Sequence, residues 1–153
     1  MSANQSADAV HLVCGHCDAV VRVPPERFGE EPRCPKCHNA LFEDHPLELK
    51  SASFDKHITR GDLPVVVDFW APWCGPCRVV NPILSDMADE HGERVKFVKV
   101  NVDESPQTQA RYSVLSIPTV MLFESGEARD SVVGARSRSH YENAWAQWLR
   151  PAA

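Results

Sequence analysis

The residues most able to do chemistry in this chain are its cysteines. There are six, and all fall in Cys-x-x-Cys pairs: Cys14 with Cys17, Cys34 with Cys37, and Cys74 with Cys77. Two thiols at this spacing can serve either of two chemistries. They can give a metal ion two thiolates from one tight turn. They can also exchange with a disulfide, one sulfur attacking and the other resolving the mixed disulfide. The surroundings of each pair decide between these.

The first two pairs read Cys14-x2-Cys17-x16-Cys34-x2-Cys37, a zinc-site spacing. Each pair presents two sulfurs from one loop, and a hairpin that joins the loops makes a tetrahedral cage. Gly15 and Pro35 stand where the loops must turn. A closed four-cysteine cage leaves no open coordination position, so its zinc is structural. Other readings are two disulfides, a histidine (His16 or His38) in place of one cysteine, or an iron–sulfur cluster. Both histidines are otherwise expected to face solvent. Large apolar residues are few around these pairs, so the segment needs a metal or cross-links to fold.

The third pair follows an apolar run, "VVVDFW", and precedes a helical pattern. A cysteine at a helix N-terminus meets free N–H groups and the positive end of the macrodipole, which lower its pKa. Cys77, one turn further on, is close enough to displace Cys74 from a mixed disulfide. Trp73 supplies a flat apolar lip, and Gly75-Pro76 stiffens the turn. Asp68 in the middle of the run is either buried, with a raised pKa that suits it to accept a proton near neutrality, or partly exposed and hydrogen-bonded at a strand end. The bland reading of Cys74 and Cys77 is half of another metal site, but no fourth pair completes it.

The elements that must position these residues follow from the pattern. Residues 1–9 read as a disordered tail, 10–44 as a small zinc-ribbon module, and 45–153 as an α/β domain, with the linker near 44–46. "LELKS" is a short strand and "SFDKHITR" a helix with Ser53 as a candidate N-cap. "PVVVDFWA" is a strand buried on both faces, as in a sheet covered by helices. Val80, Ile83, Leu84 and Met87 mark one face of a helix that Pro82 should kink. "RVKFVKVNVD" is a second core strand, and "SPQTQARYSV" opens a helix. "PTVMLFESGEARDSVVG" is a hairpin around Ser-Gly. Tyr141, Ala144, Trp145, Trp148 and Leu149 form the stripe of a last helix, so Trp145 and Trp148 are core residues; packing is also the safer role for Trp70. The order β-α-β-α-β-α-β-β-α predicts a central mixed sheet with helices on both faces.

Composition limits the function classes. Charged residues make up 24% of the chain and hydrophobic ones 43%, with a formal net charge of −5. An acidic balance argues against nucleic acid as a partner. Arg129, Arg136 and Arg138 read as scattered surface charge. No signal peptide or membrane span is evident, so the expected compartment is the cytoplasm, where paired cysteines bind metal or do redox chemistry. His57, His91 and His140 have no partner pattern and are expected at the surface.

"VDFWAPWCGPC", followed by "KVNVDE", "SIPTVMLF" and "VVGA", resembles the thioredoxin family over about residues 47–150. "LVCGHCDAVVRVP…RCPKCHNALF" resembles the zinc-binding extension of its second bacterial class. The resemblance implies a thioredoxin fold and a protein-disulfide reductase. It makes Cys74 the nucleophile, Cys77 the resolving cysteine, and Asp68 the buried carboxylate that assists it. Lys99 is implied beside that carboxylate, and Pro118 is implied as a cis-proline facing the pair. Trp73, Gly75, Pro76, Ile117, Val133 and Gly134 line the implied substrate groove, where the Ile117 backbone pairs with an extended segment. A redox-active Cys74–Cys77 disulfide is implied, recycled by an NADPH-dependent thioredoxin reductase. Implied partners are disulfide-containing proteins, and implied roles are redox homeostasis and oxidative-stress defence. The expected cofactor is one structural Zn2+ per chain, with no bound organic cofactor, and the expected state is a monomer. Ser116, where thioredoxins more often have glycine, supports the zinc-bearing class. Arg78 replaces the common lysine and keeps its charge. The alternative function is a zinc- or redox-sensing module, in which oxidised thiolates release the metal.

Overall fold

The computed structural model describes residues 9–149; all of the expected tail except Ala9 lies outside them. Strands β1 (Val10–Val13) and β2 (Val20–Val23) form an antiparallel pair, and a 3-10 helix follows at Pro25–Glu30. Then come β3 (Leu47–Glu48), α1 (Ser51–Thr59), β4 (Val65–Trp70), α2 (Cys77–His91) and β5 (Lys96–Asn101). The remainder is α3 (Pro106–Arg111), β6 (Thr119–Glu124), β7 (Glu127–Val133), α4 (Arg138–Ala144) and α5 (Ala146–Leu149). The five-stranded sheet runs β3-β5-β4-β6-β7. β3 and β4 pair parallel with β5, and β6 pairs antiparallel with both β4 and β7. This is the mixed sheet that the order of elements predicts. No helix among the described residues is long and apolar enough to cross a membrane.

Strand β4 explains the two cores. Side chains alternate along a strand. Val65, Val67 and Phe69 join Phe54, Ile58 and Phe123 on one face. Val66 joins Val80, Leu84, Met87, Tyr141 and Trp145 on the other. Asp68 shares the parity of Val66, so the sequence puts a carboxylate under α2. The apolar stripe of α2 holds the helix there, with Val80, Leu84 and Met87 buried. Pro82 lies inside α2. β6 turns into β7 through Ser125 and Gly126, at φ 53° and 82°, left-handed values that glycine adopts without cost.

Three local expectations need correction. Helix α1 starts at Ser51 with Lys50 at the N-cap, so Ser53 is not the cap; Ser51 instead bonds across to α3, its hydroxyl 2.7 Å from Thr108 Oγ1. The last helix breaks at Trp145, which is buried and donates from Nε1 to Asp130 Oδ2 at 2.8 Å. His57 and His91 are buried, whereas His140 is exposed as expected. His91 Nε2 faces Glu90 at 2.9 Å and Glu142 at 3.4 Å, and its Nδ1 faces Arg94 at 3.3 Å. Arg138 bonds both of those carboxylates, so a guanidinium already offsets part of the negative charge of this His–Glu cluster.

His57 belongs to the seam between the four-cysteine segment and the larger sheet. Its Nε2 meets Asp18 Oδ1 at 2.8 Å and its Nδ1 meets Lys96 Nζ at 2.6 Å. Lys96 Nζ also donates to the Val13 carbonyl at 2.7 Å. Burial, then the neighbouring Lys96 charge, pushes the His57 pKa down to about 4 against the pull of Asp18. Burial likewise brings Lys96 down to about 8. A neutral imidazole therefore accepts from Lys96 and donates to Asp18, which satisfies each polar group in the seam. Gly92 completes the contact: a Cβ there would lie 3.0 Å from the Glu43 carbonyl oxygen and 2.6 Å from that of Ala88.

Candidate active site and metal centre

Cys74 and Cys77 sit in the turn from β4 into α2, joined as a disulfide with Cα atoms 5.3 Å apart. Cys77 is the first residue of α2, and its backbone N–H donates to Cys74 Sγ at 3.2 Å. Such a donor stabilises a thiolate on Cys74, in addition to the helix terminus. Both sulfurs are almost fully buried, Cys77 the more so. Trp73 next to them is 67% exposed, and its indole is pinned by Asp103 Oδ2 at 2.9 Å. Gly75 and Pro76 are exposed in the turn. Arg78 caps the same turn by donating to the Pro72 carbonyl at 3.3 Å.

The other residues expected to line a groove come from the β6–β7 side of β4. The Phe69–Thr119 pairing puts Pro118 at the C-terminal end of β4, the end from which the cysteine turn leaves. The Ile117–Pro118 peptide is cis. Ile117 packs against the core cluster that holds Cys74 and Cys77. Pro118 accepts a hydrogen bond from the Gly134 N–H at 2.8 Å, which ties the end of β7 to the loop. Val133 is 53% exposed and Leu115 94% exposed. Leu115 carries no mark in the sequence, because "SVLSIP" has no apolar periodicity to flag it.

Asp68 lies beneath α2 and is buried. Burial pushes its pKa up to about 7; Lys99 opposes this and Glu48 adds to it. With its amide nitrogen turned inward, Asn81 donates to Asp68 Oδ2 at 2.8 Å and to the Cys77 carbonyl at 3.2 Å. Asp68 Oδ1 has no partner among the described residues. Lys99 pairs with Asp68 across β4 and β5, and its Nζ lies 4.6 Å over the Trp70 ring. Trp70 also donates to Glu48 Oε2 at 3.4 Å, so it shapes this pocket as well as packing. Asn81 and Glu48 are not legible as site residues from sequence. Of the two sequence readings of Asp68, the structure has the buried one.

The other four cysteines gather in the N-terminal segment, all four sulfurs within 4.8 Å of one another. Cys14 and Cys37 sulfurs are 3.6 Å apart, as are those of Cys17 and Cys34. A tetrahedron of four sulfurs at about 2.3 Å from a zinc has edges of roughly 3.8 Å, so the donors fit that ion. The two loops are near copies. In each, the residue after the second cysteine has a left-handed backbone, Asp18 at φ 62° and His38 at φ 68°. Its N–H returns to the first cysteine's carbonyl, at 2.9 Å and 2.7 Å respectively. Cys14 and Cys34 are buried, with Leu12, Val23 and Leu41 around them. Hydrogen bonds from Asn39 lower the Cys37 pKa to about 6, and burial raises that of Cys14 to about 12. Neither histidine is a ligand here. Both are exposed, as expected, and His16 Nε2 also meets Glu43 Oε1 at 2.6 Å.

Comparisons with known proteins agree with this geometry. The thioredoxin family profile matches residues 45–147, and the profile for the N-terminal part of thioredoxin 2, a zinc ribbon, matches residues 13–39. A thioredoxin of Porphyra purpurea is 48% identical over 96 residues, which cover 63% of this chain and 90% of the relative. Thioredoxin 1 of Synechococcus elongatus is 46% identical over 95 residues, covering 62% and 89%. Among solved structures, a single-site mutant of a thioredoxin from Halobacterium salinarum superposes with a TM-score of 0.64 at 28% identity, over 72% of this chain and 96% of the other. These relatives cover the larger sheet and its disulfide, which makes the chain a thiol–disulfide oxidoreductase. It belongs to the thioredoxin family, with the zinc ribbon of thioredoxin 2 at its N-terminal end.

Proposed function

We propose that the chain is a protein-disulfide reductase in which Cys74 attacks and Cys77 resolves. The carrying observation is the donor from the Cys77 N–H to Cys74 Sγ at 3.2 Å at the start of α2. In the reduced protein the Cys74 thiolate displaces one sulfur of a substrate disulfide, and a mixed disulfide forms. Cys77 then loses its proton to the Asp68 carboxylate and attacks Cys74; the Cys74–Cys77 bond forms and the substrate leaves as a thiolate. An acid pushed up to about 7 accepts that proton readily. Lys99 tempers Asp68, and the Ile117–Pro118 segment with Trp73, Gly75, Pro76, Val133 and Gly134 seats an extended substrate strand.

The recycling partner in this reading is an NADPH-dependent thioredoxin reductase. The substrates are disulfide-bearing proteins, the role redox homeostasis and stress defence, and the setting the cytoplasm. The protein works as a monomer, and one structural zinc sits in the four-cysteine cage. When bound, the metal supplies cross-links that hold the ribbon. Disulfide reduction with dithiothreitol as electron donor tests the reading. Cys74→Ser should abolish turnover, and a variant that still turns over refutes the assignment. Partial exposure of Cys17 and Cys37 favours a second reading, a redox sensor in the ribbon. That reading requires mild oxidation to release zinc before it closes the Cys74–Cys77 disulfide.

A further inference from the structure

The proton that Asp68 accepts has to leave, and the carboxyl is buried under α2. A cleft borders it. It has a volume of about 370 Å³ and is lined by the buried Asp68 together with Asn81, Ser85, Glu48 and Lys99. The cleft also touches His45 and Pro46, which belong to neither β2 nor β3 but to the connection between the ribbon and the larger sheet. His45 is exposed, whereas Pro46 beside it is buried and anchors that connection. The ribbon's linker therefore lines part of this cleft, with His45 at an exposed position beside Glu48.

The His45 ring is oriented. Its Nδ1 lies 2.9 Å from Asp44 Oδ1. A carboxylate at that nitrogen holds the proton there and leaves Nε2 as the basic atom. Asp68 lines this cleft, although its Oδ1 is itself fully buried and has no partner among the described residues. A space of this size holds several water molecules, each taking about 30 Å³, and these can join the two groups.

We propose that His45 is the proton relay between Asp68 and solvent, so that the ribbon linker takes part in thiol exchange. The proposal rests on the reading of Asp68 as proton acceptor. In the resolving step the Cys77 S–H bond breaks and its proton passes to Asp68. The Cys74–Cys77 bond forms, and the substrate departs with the electron pair of the broken mixed disulfide. The proton then moves from Asp68 through cleft water to His45 Nε2, and from the imidazole to bulk. Reduction of the disulfide runs the same path inward. Asp44, Glu48, Asp68 and Lys99 are the charged groups facing this path. His45 touches neither sulfur and acts only through Asp68, so it is a positioning residue for the proton.

Stopped-flow oxidation of the reduced full-length protein by a small disulfide whose product thiols ionise well below neutral pH, and so take up no proton, tests this. Tryptophan fluorescence follows closure of the Cys74–Cys77 bond, and a pH indicator in weak buffer follows proton release. In the natural protein the two signals should coincide. In His45→Gln, which keeps the side chain's bulk, proton release should lag several-fold, and added imidazole should remove the lag. Coincident signals in His45→Gln overturn the relay, and so does a lag that imidazole does not relieve. Asp68→Asn separates this from the underlying reading. If bond closure is as fast there as in the natural protein, Asp68 is not the acceptor; if closure slows while His45→Gln behaves normally, only the relay fails.

Discussion

The two knuckles of the ribbon and the turn at Cys74 carry the same Cys-x-x-Cys spacing, yet the fold uses them in opposite ways. In the ribbon each turn curls back on itself, and the four sulfurs converge within 4.8 Å. At Cys74 the turn runs directly into a helix of 15 residues, whose first N–H points at the sulfur. The ribbon core is a handful of side chains around the thiols themselves. The active turn instead stands on two cores, one on each face of the larger sheet. A sulfur that must bind metal is held by its partners; one that must react is held by everything else. The comparison predicts different consequences of damage at each place.

Metal removal should give the largest effect. A structural zinc site is worth about 10–16 kcal/mol in small domains, far more than the ribbon core can supply alone. Chelation should therefore collapse the amide NMR signals of residues 10–42 and leave those of β4 to β7 in place. Persistence of the ribbon signals after zinc is gone would show that docking through Lys96 and His57 suffices to fold it.

Exchanging single cysteines sharpens the contrast. Cys74→Ser should slow disulfide reduction by at least about 1000-fold, equivalent to about 4 kcal/mol, with zinc content unchanged. Cys34→Ser should do the reverse, losing zinc while reduction continues. Parallel assays of turnover and bound metal read both outcomes; if either variant loses both properties, the two regions are not independent.

Asp68 gives an effect of similar size with a pH signature. Its carboxyl titrates at about 7 when folded, against 3.8 as its ordinary value. Between these values the folded state holds the proton and the unfolded state has lost it, so stability falls as pH rises. The contribution is fully present below about pH 4 and lost through pH 7, for a total of about 4 kcal/mol. Asp68→Asn removes the ionisation. Denaturant unfolding should show the variant more stable than the natural protein well above pH 7, with the gap closing toward about pH 4. A gap that does not depend on pH would mean that Asp68 ionises freely in the folded state.

Much of this difference between regions can be read from the string. The gap of 16 residues between two cysteine pairs announces a cage, and an apolar strand before the third pair announces a reactive turn. Both are local patterns, and local patterns survive in sequence. What the string conceals is contact between distant segments. His57 reads as a surface residue because its partners, Asp18 and Lys96, are each 39 positions away. Asn81 and Glu48 have no spacing to mark them; they matter because α2 and β3 both border the buried Asp68. Asp68 itself is ambiguous because strand alternation tells which face a residue takes but not what covers it. The break at Trp145 is invisible for a similar reason: it coincides with a hydrogen bond to Asp130 on β7.

A smaller test probes what the regions share. Both a ribbon sulfur and the active one receive an N–H. Cys74 takes it from the backbone of Cys77, which no substitution can remove cleanly. Cys37 takes one from a side chain, Asn39 Nδ2 at 3.4 Å, so here the donor can be deleted alone. Groups that hydrogen-bond metal ligands typically govern about 10–100-fold in affinity. A contact at 3.4 Å to sulfur from an exposed side chain belongs at the low end. Asn39→Ala should therefore weaken zinc about 10-fold in a chelator competition, equivalent to about 1.4 kcal/mol. The backbone bond between Cys34 N–H and the Asn39 carbonyl at 2.9 Å is retained in that variant, so the knuckle keeps its shape. Disulfide reduction should not change. Unaltered zinc affinity would mean that the Asn39 side chain adds nothing to the metal's hold beyond what the sulfurs and the backbone N–H donors to Cys14 and Cys37 supply.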